Sequence, residues 1–161
     1  MNIFYLHSDP RVAARYHNDK HVVKMILESA QMLSTAHREL DGDDTFPELY
    51  RSTHKNHPST KWARRGYQNY MWLFDLFSSL CEEYTHRYDN VHLSEVKLGN
   101  VLRSAPNNID RSFQFTQPPQ CMPDVYKVEG NSIEAYRNYY KGEKSGFAKW
   151  TKRRKPLWWN V

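Results

Sequence analysis

Two long stretches of the sequence repeat apolar side chains every three or four residues, and this repeat constrains the fold more than any other feature. In the stretch 59–88 the repeat consists of Tyr70, Leu73, Phe74, Phe77, Leu80, Cys81 and Tyr84. In the stretch 10–38 it consists of Val22, Ile26, Ala30 and Leu33, with Val23, Met25 and Leu27 beside them. This period places side chains on one face of an α-helix. The sequence therefore predicts two long amphipathic helices.

Polar residues and prolines indicate where these helices begin. Asp9 followed by Pro10 is typical of a helix start, because the carboxylate caps free amides and proline is favoured in the first turn. Ser59 or Thr60 caps the second helix. A break is expected near Asn18 in the first helix, and Asp41–Asp44 closes it.

The remaining segments complete a predicted all-α fold. Residues 2–7 are expected to be a short extended segment, and residues 112–127 a proline-rich connection over the surface. Asn131 with Glu134 fits a capping box, which predicts a third helix reaching about Trp150. Only six glycines are present, which argues against a turn-rich β-sandwich. With no repeat or linker, residues 1–161 are predicted to form a single helical domain.

Charge is concentrated at the C-terminal end. The protein carries a formal net charge of +5, yet residues 141–161 hold seven basic side chains against one acid. The first 140 residues hold 16 basic and 17 acidic side chains. The protein is basic because its tail is basic, and such asymmetry favours contact with a polyanion over the alternative of a solvated terminus.

Basic and aromatic side chains alternate in this tail, and they are the predicted nucleic-acid contacts. They are Lys149, Lys152, Arg153, Arg154, Lys155, Trp158 and Trp159. Lysine and arginine neutralise phosphates and aromatic planes stack on exposed bases. In the alternative interpretation the tryptophans fill the core while the charges stay in solvent.

A polar stripe follows the first helix and offers candidate chemistry. His17 and His21 stand one turn apart, and Glu28 lies two turns beyond His21 on the same face. The two imidazoles suit a metal, although no His-Glu-x-x-His order is present and Glu83-x-x-His86 occurs once. The alternative is that the stripe is a solvated edge of the helix. Acid–base work by Glu or His is the chemistry these residue types allow.

A second group of histidines precedes the second helix. His54-x-x-His57-Pro58 is followed by Trp62, which suits binding of a phosphate or a metal. Local bonding by His57 and packing by Trp62 is the structural alternative. Cys81 belongs to an apolar stripe, which favours a buried small hydrophobe over a nucleophile.

Other features bear on the compartment. No apolar run approaches the length of a membrane span, and the N-terminus lacks the pattern of a signal peptide. Two cysteines in different segments indicate neither a disulfide framework nor a thiolate zinc site. A cytoplasmic location without a membrane partner is expected.

The stretch from Asp19 to Glu28 resembles phage-encoded proteins, and the overall layout resembles the pyrimidine-dimer DNA glycosylase/AP-lyase family. The resemblance lies in a short N-terminal segment, a first helix with His21 and Glu28 seven residues apart, and His57-Pro58 before Trp62. It also includes the strip Lys155-Pro156-Leu157-Trp158-Trp159.

The resemblance implies a mechanism that needs no cofactor and no metal. In this family the chain's own α-amine attacks the sugar C1′ of a damaged nucleotide, and a Glu assists strand cleavage. The amine would be that of Met1, because Asn2 disfavours removal of the methionine, and Lys24 is an alternative amine. Glu28 would be the carboxylate and His21 a positioning group. Leu27 and Ser29 stand where the family has arginines beside the Glu, so the lesion stays open.

The sequence therefore predicts a DNA repair glycosylase with lyase activity that acts on a damaged or modified base in double-stranded DNA, in the infected host cell if the protein is phage-encoded. The site would consist of Met1, Glu28 and His21, with His57 and the tail holding the nucleic acid. One alternative is a non-catalytic phage protein that binds nucleic acid or host machinery. Another is a metalloenzyme that uses His17, His21, His54 or His57.

Overall fold

Six α-helices and one 3-10 turn make up the regular structure in the computed structural model, which describes residues 1–160. The helices are α1 (Pro10–Tyr16), α2 (Asp19–Asp41), α3 (Pro58–Arg65), α4 (Tyr67–Tyr88), α5 (Leu93–Leu98) and α6 (Ser132–Glu143), and the 3-10 turn is Asp124–Tyr126. No strand occurs among these residues, which confirms the predicted all-α class. None of the helices is both long and apolar enough to cross a membrane.

The predicted break in the first helix is confirmed. The chain leaves α1 at His17, and the side chain of Asn18 accepts a hydrogen bond from the His21 amide at 2.9 Å to begin α2. The helix ends at Asp41, and Gly42 follows with a φ of 96°, a left-handed conformation that glycine adopts without strain.

The second predicted helix is two helices, separated at Gly66. The predicted single helix over 59–88 did not include this break. A Cβ on Gly66 would lie 2.7 Å from Cδ1 of Phe113, so the proline-rich connection packs directly on the backbone there. The first of the two helices begins at Pro58 and is capped by His57, so the predicted cap at Ser59 or Thr60 is wrong by two or three residues.

The third helix ends at Glu143, so its predicted extension to about Trp150 is wrong. Gly142 and Gly146 flank the end, and glycine weakens a helix by about 1 kcal/mol relative to alanine. The chain then turns so that the buried Trp150 indole donates to the Tyr16 carbonyl at 2.8 Å. Docking of the tail therefore replaces the last helical turns.

The core forms where α2 packs on α3 and α4 and α1 packs on α4. Residues 2–7 contain no helix or strand, the Leu6 amide donates to the Phe4 carbonyl at 2.9 Å, and Ile3, Phe4, Tyr5 and Leu6 are buried. Cys81 is also buried in this core, as expected for a small hydrophobe, and burial raises the pKa of its thiol. The N-terminal segment is thus part of the core and not a free arm.

His17 and His21 are buried, at 0% and 6% exposure, so the interpretation of their stripe as a solvated edge is wrong for these two. The His17 Nδ1 lies 2.7 Å from the Ala13 carbonyl, which accepts only, so this nitrogen carries the hydrogen. Burial lowers the pKa of His17 to about 4 and the pKa of His21 to about 2. Both rings are neutral at physiological pH.

These depressed values predict a loss of stability in mild acid. Below about pH 6.5 the unfolded chain binds protons on both histidines that the folded chain does not bind until about pH 4 or lower. The contribution of these two histidines to the free energy of unfolding is therefore full above about pH 6.5 and decreases as the pH falls. Each histidine contributes a slope approaching about 1.4 kcal/mol per pH unit. Denaturant unfolding between pH 7 and pH 5 measures this slope.

Replacing His17 by glutamine should reduce this slope, whereas replacing the exposed His86 by glutamine serves as the matched control. Equal slopes for the wild type and His17→Gln would show that His17 does not stay neutral in the folded protein.

Candidate active site

The α-amine of Met1 and the carboxylate of Glu28 form an ion pair. The amine nitrogen lies 3.5 Å from Glu28 Oε1. The other carboxylate oxygen, Oε2, lies 3.6 Å from the Lys24 ammonium, one helical turn earlier on α2. Glu28 thus lies between two amines, one at each oxygen.

The two amines differ in how firmly they are held. The Met1 side chain is 3% exposed, although the residue as a whole is half-buried, so most of its exposed surface belongs to the main chain. The Lys24 side chain is 69% exposed and the Glu28 side chain 14%. The amine of Met1 is therefore fixed by its buried side chain beside a partly buried carboxylate, whereas Lys24 reaches it from solvent.

Asn2 fixes the backbone next to this amine. Its Nδ2 donates to the Cys121 carbonyl at 3.0 Å, and its Oδ1 accepts from the Ile3 amide at 2.9 Å. The Tyr136 hydroxyl lies 2.7 Å from the same Oδ1 and 2.6 Å from the Pro119 carbonyl. Burial raises the pKa of Tyr136, so its hydroxyl remains a donor. Sequence reasoning missed Asn2 and Tyr136, and their only signal was the position of Asn2 next to Met1.

His21 supports the N-terminal segment from two turns away. Its ring stacks on Phe4, with centroids 4.3 Å apart, and its Nδ1 lies 2.6 Å from the Tyr140 hydroxyl. At about 1.5 Å of rise per residue, the seven residues to Glu28 span about 10 Å along α2. His21 therefore acts on residue 4 of the segment and does not reach the amine itself.

His57 lies close enough to the ion pair for both of its charges to affect the pKa of the imidazole. Burial lowers the pKa of His57, the positive charges of the Met1 amine and of His54 lower it further, and the Glu28 carboxylate opposes them. Its Nδ1 accepts from the Ser59 amide at 3.1 Å and caps α3. Both structural expectations are confirmed: His57 bonds locally and Trp62 is buried. Because Nδ1 accepts this hydrogen bond, the neutral ring carries its hydrogen on Nε2, which can donate to another group.

The basic tail is tied to the helical body by its own charges. Arg153 bonds Glu83 through Nε at 2.8 Å and Nη2 at 3.1 Å, and Lys152 pairs with Asp89 at 3.2 Å. Residue 161 of the predicted tail lies outside the described residues. Lys149, Arg154 and Lys155 are exposed and have no carboxylate within 4.0 Å among residues 1–160.

The two tail tryptophans pack on the protein. Trp158 contacts Tyr16 and Tyr140 edge-on, with centroids 5.8 and 6.0 Å apart, and Trp159 contacts Trp150 at 5.0 Å. Both are half-buried. These contacts agree with the alternative in which the tryptophans complete the core while the charges face solvent, and stacking of either indole on a base stays a prediction.

The metal-binding alternative for the histidines finds no set of ligands in the described part of the chain, residues 1–160. Among residues 1–160 no group of three or more His, Cys, Asp or Glu side chains could hold a metal ion. His17 is hydrogen-bonded to the Ala13 carbonyl, and His21 to the Tyr140 hydroxyl. His54 and His57 lie in the loop before α3.

Residues 1–95 match the family model described as pyrimidine dimer DNA glycosylase, and this span is more than half of the chain. The chain belongs to this family. Comparison with curated proteins and with solved structures gives no match. Met1, Glu28 and His57 all lie in the matched span, and the tail lies beyond it. Family membership indicates a DNA repair function of the glycosylase type.

The bonds of Asn2 lead to a test of how this glycosylase family member fixes its N-terminus. Replacing Tyr136 by phenylalanine removes the hydroxyl that donates hydrogen bonds to Asn2 Oδ1 and to the Pro119 carbonyl. The free energy of unfolding should fall by about 1–2 kcal/mol, and the Ile3 amide should exchange its hydrogen faster. Denaturant unfolding and amide hydrogen exchange measure the two effects.

Tyr139→Phe is the matched control, because the Tyr139 hydroxyl forms no hydrogen bond with another residue in 1–160. If both variants lose the same stability and leave exchange at Ile3 unchanged, Tyr136 does not hold the N-terminal segment.

Proposed function

We propose that the chain is a DNA glycosylase with AP-lyase activity, in which the Met1 amine is the nucleophile and Glu28 its acid–base and electrostatic partner. The observation that carries this proposal is the 3.5 Å separation of the Met1 nitrogen and Glu28 Oε1. The substrate is a damaged or modified base in double-stranded DNA.

The reaction follows from what an amine and a carboxylate can do at a sugar carbon. The neutral amine attacks C1′, the bond from C1′ to the base breaks, and the base leaves with a proton. The C1′–O4′ bond of the sugar ring then opens, O4′ takes a proton, and C1′ is left doubly bonded to the nitrogen. The resulting iminium acidifies C2′, so that removal of a C2′ proton breaks the C3′–oxygen bond and releases the phosphate of the downstream strand. The amine attacks in its neutral form, because only the unprotonated nitrogen has a free electron pair.

Glu28 serves this chemistry through its charge and its position. Its side chain is 14% exposed, and a carboxylate in a partly dry site stabilises a neighbouring iminium more strongly than one in water. The same group exchanges protons in the elimination step. The Lys24 ammonium, 3.6 Å from Oε2, orients the second oxygen of the Glu28 carboxylate.

The residues that fix the first four positions of the chain also position the Met1 amine. The stacking of His21 on Phe4 and the bonds of Asn2 hold the amine at one place, which supports His21 as a positioning residue. Pre-organisation of this kind lowers the entropic part of the barrier.

The exposed cations of the tail are proposed to bind the duplex. Asp19, at the start of α2, holds the tail through the amide and hydroxyl of Thr151 at 2.9 and 2.6 Å. Glu28 lies nine residues further on, about 14 Å along the helix, which corresponds to about four base pairs. Lys149, Arg154 and Lys155 can therefore contact the phosphates of a duplex whose reacting nucleotide lies at Met1. Flipping that nucleotide from the stack makes C1′ accessible.

Borohydride trapping tests the proposal. Incubation with duplex DNA containing an abasic site and borohydride should link protein and DNA covalently. Glu28→Gln should slow strand cleavage by about 100-fold or more, because acid–base catalysis by one side chain contributes on that scale. The cleavage rate is measured under single-turnover conditions.

Glu39→Gln is the control for this experiment, since Glu39 is an exposed carboxylate on the same helix. A wild-type protein that forms no adduct with abasic or damaged duplexes, or a Glu28→Gln variant that cleaves as fast as Glu39→Gln, would exclude the proposed mechanism.

A further inference from the structure

A groove runs between α3 and the proline-rich connection, outside the ion pair of Met1 and Glu28. Its volume is about 280 Å³. It is lined by Pro58, Lys61, Trp62, Arg65, Gln117 and Pro119. The reaction proposed for the ion pair uses neither this groove nor its two cations.

Two residues that line the groove, Pro58 and Pro119, adjoin residues of the candidate active site. Pro58 directly follows His57, whose pKa the Met1 amine and Glu28 both influence. On the opposite wall, the Pro119 carbonyl accepts a hydrogen bond from the Tyr136 hydroxyl, which also lies 2.7 Å from Asn2 Oδ1. Both walls are therefore connected to the segment that carries the amine, and a polymer bound at Met1 can continue into the groove.

The lining combines apolar surfaces with two positive charges. Pro58, Trp62 and Pro119 supply the apolar part, and the Trp62 Nε1 is already bonded to the Thr116 carbonyl at 3.0 Å. Lys61 and Arg65 stand one helical turn apart on α3, which is close enough to meet neighbouring phosphates of one strand.

The two cations are available to different degrees. Lys61 is exposed and has no carboxylate within 4.0 Å among residues 1–160. The guanidinium of Arg65 lies 3.9 Å from the Phe113 ring centroid and 3.6 Å from Asp110 Oδ2. Its position is fixed by these contacts, and the side chain remains exposed.

The groove also lies in the second basic segment of the chain. Residues 51–74 hold five basic side chains and no Asp or Glu. These are Arg51, Lys55, Lys61, Arg64 and Arg65. A charge count over the first 140 residues hides this segment, because acidic residues elsewhere cancel it. Its sign is complementary to a phosphate backbone.

We infer that this groove binds the DNA strand that continues from the reacting nucleotide, with sugar or base faces on Pro58 and Pro119, above the largely buried Trp62, and phosphates on Lys61 and Arg65. The inference rests on the proposed function and adds to it a second contact, separate from the tail. Apolar surfaces beside regularly spaced cations are what a single nucleic-acid strand requires.

Binding to unreactive DNA tests the inference separately from the chemistry. The probe is a duplex with a central tetrahydrofuran abasic analogue, which cannot form an imine. The variant is Lys61→Ala/Arg65→Ala, and the matched control is Lys97→Ala/Arg103→Ala, which removes one exposed Lys and one exposed Arg, each also stacked on an aromatic ring. Circular dichroism checks that both fold.

The groove variant should bind about ten-fold or more weakly than the wild type. Its plot of log K against log salt should be shallower by about 0.9 for each phosphate that the variant no longer neutralises. Two shortened duplexes, lacking the strand on one or the other side of the analogue, then locate the binding region. The wild type should lose affinity on removal of one side in particular, and the groove variant should be insensitive to that same removal.

The outcomes separate the groove from the catalytic proposal. A groove variant that binds like the control, or that is weakened as much as the wild type by both shortened duplexes, overturns the groove assignment even if borohydride trapping succeeds. Alternatively, the wild type loses affinity on removal of one side of the duplex and yet gives no borohydride adduct. That result supports the groove as a strand-binding site and excludes the proposed lyase activity.

Discussion

The burial of residues 3–6 determines where the α-amine of Met1 lies. Ile3, Phe4, Tyr5 and Leu6 are in the core, and each large apolar side chain contributes about 1.5–3 kcal/mol when fully buried. Ordering the backbone of each residue costs about 1–2 kcal/mol, so the two effects nearly balance. The hydrogen bonds of Asn2 and the stacking of Phe4 on His21 therefore decide whether the amine keeps its place.

A second buried network fixes the tail to the same helices. Arg87 and Arg153 both bond Glu83, at 2.9 and 2.8 Å, and Arg87 also pairs with Asp19 at 3.0 Å. Although burial alone would raise it, the hydrogen bonds from Arg153 and Arg87 bring the pKa of Glu83 below its ordinary value. The network holds the tail against the helices at Arg153, so this part of the tail is not a flexible arm. Arg154 and Lys155 are exposed next to it and present their charges at the surface.

The sequence was sufficient to predict the long helices, because helical periodicity is a local property, and the resemblance to the family directed attention to Glu28. It could not show the break at Gly66, which depends on the distant Phe113 packing on the backbone. It also placed His21 on a polar stripe, whereas the N-terminal segment covers that face of α2 and buries the ring. Asn2 and Tyr136 are 134 residues apart, so no local pattern in the sequence signals their hydrogen bond. Counting charge over long segments likewise hid the basic stretch that contains α3.

The central claim is that the α-amine of Met1, and not the ammonium of Lys24, reacts at C1′ beside Glu28. The most direct measurement is peptide mapping of the borohydride-reduced adduct by mass spectrometry, since reduction leaves a stable bond at the attacking nitrogen. We expect the DNA remnant to be attached to the N-terminal peptide, on the α-nitrogen of Met1. Attachment to Lys24 or to any other lysine would contradict the claim.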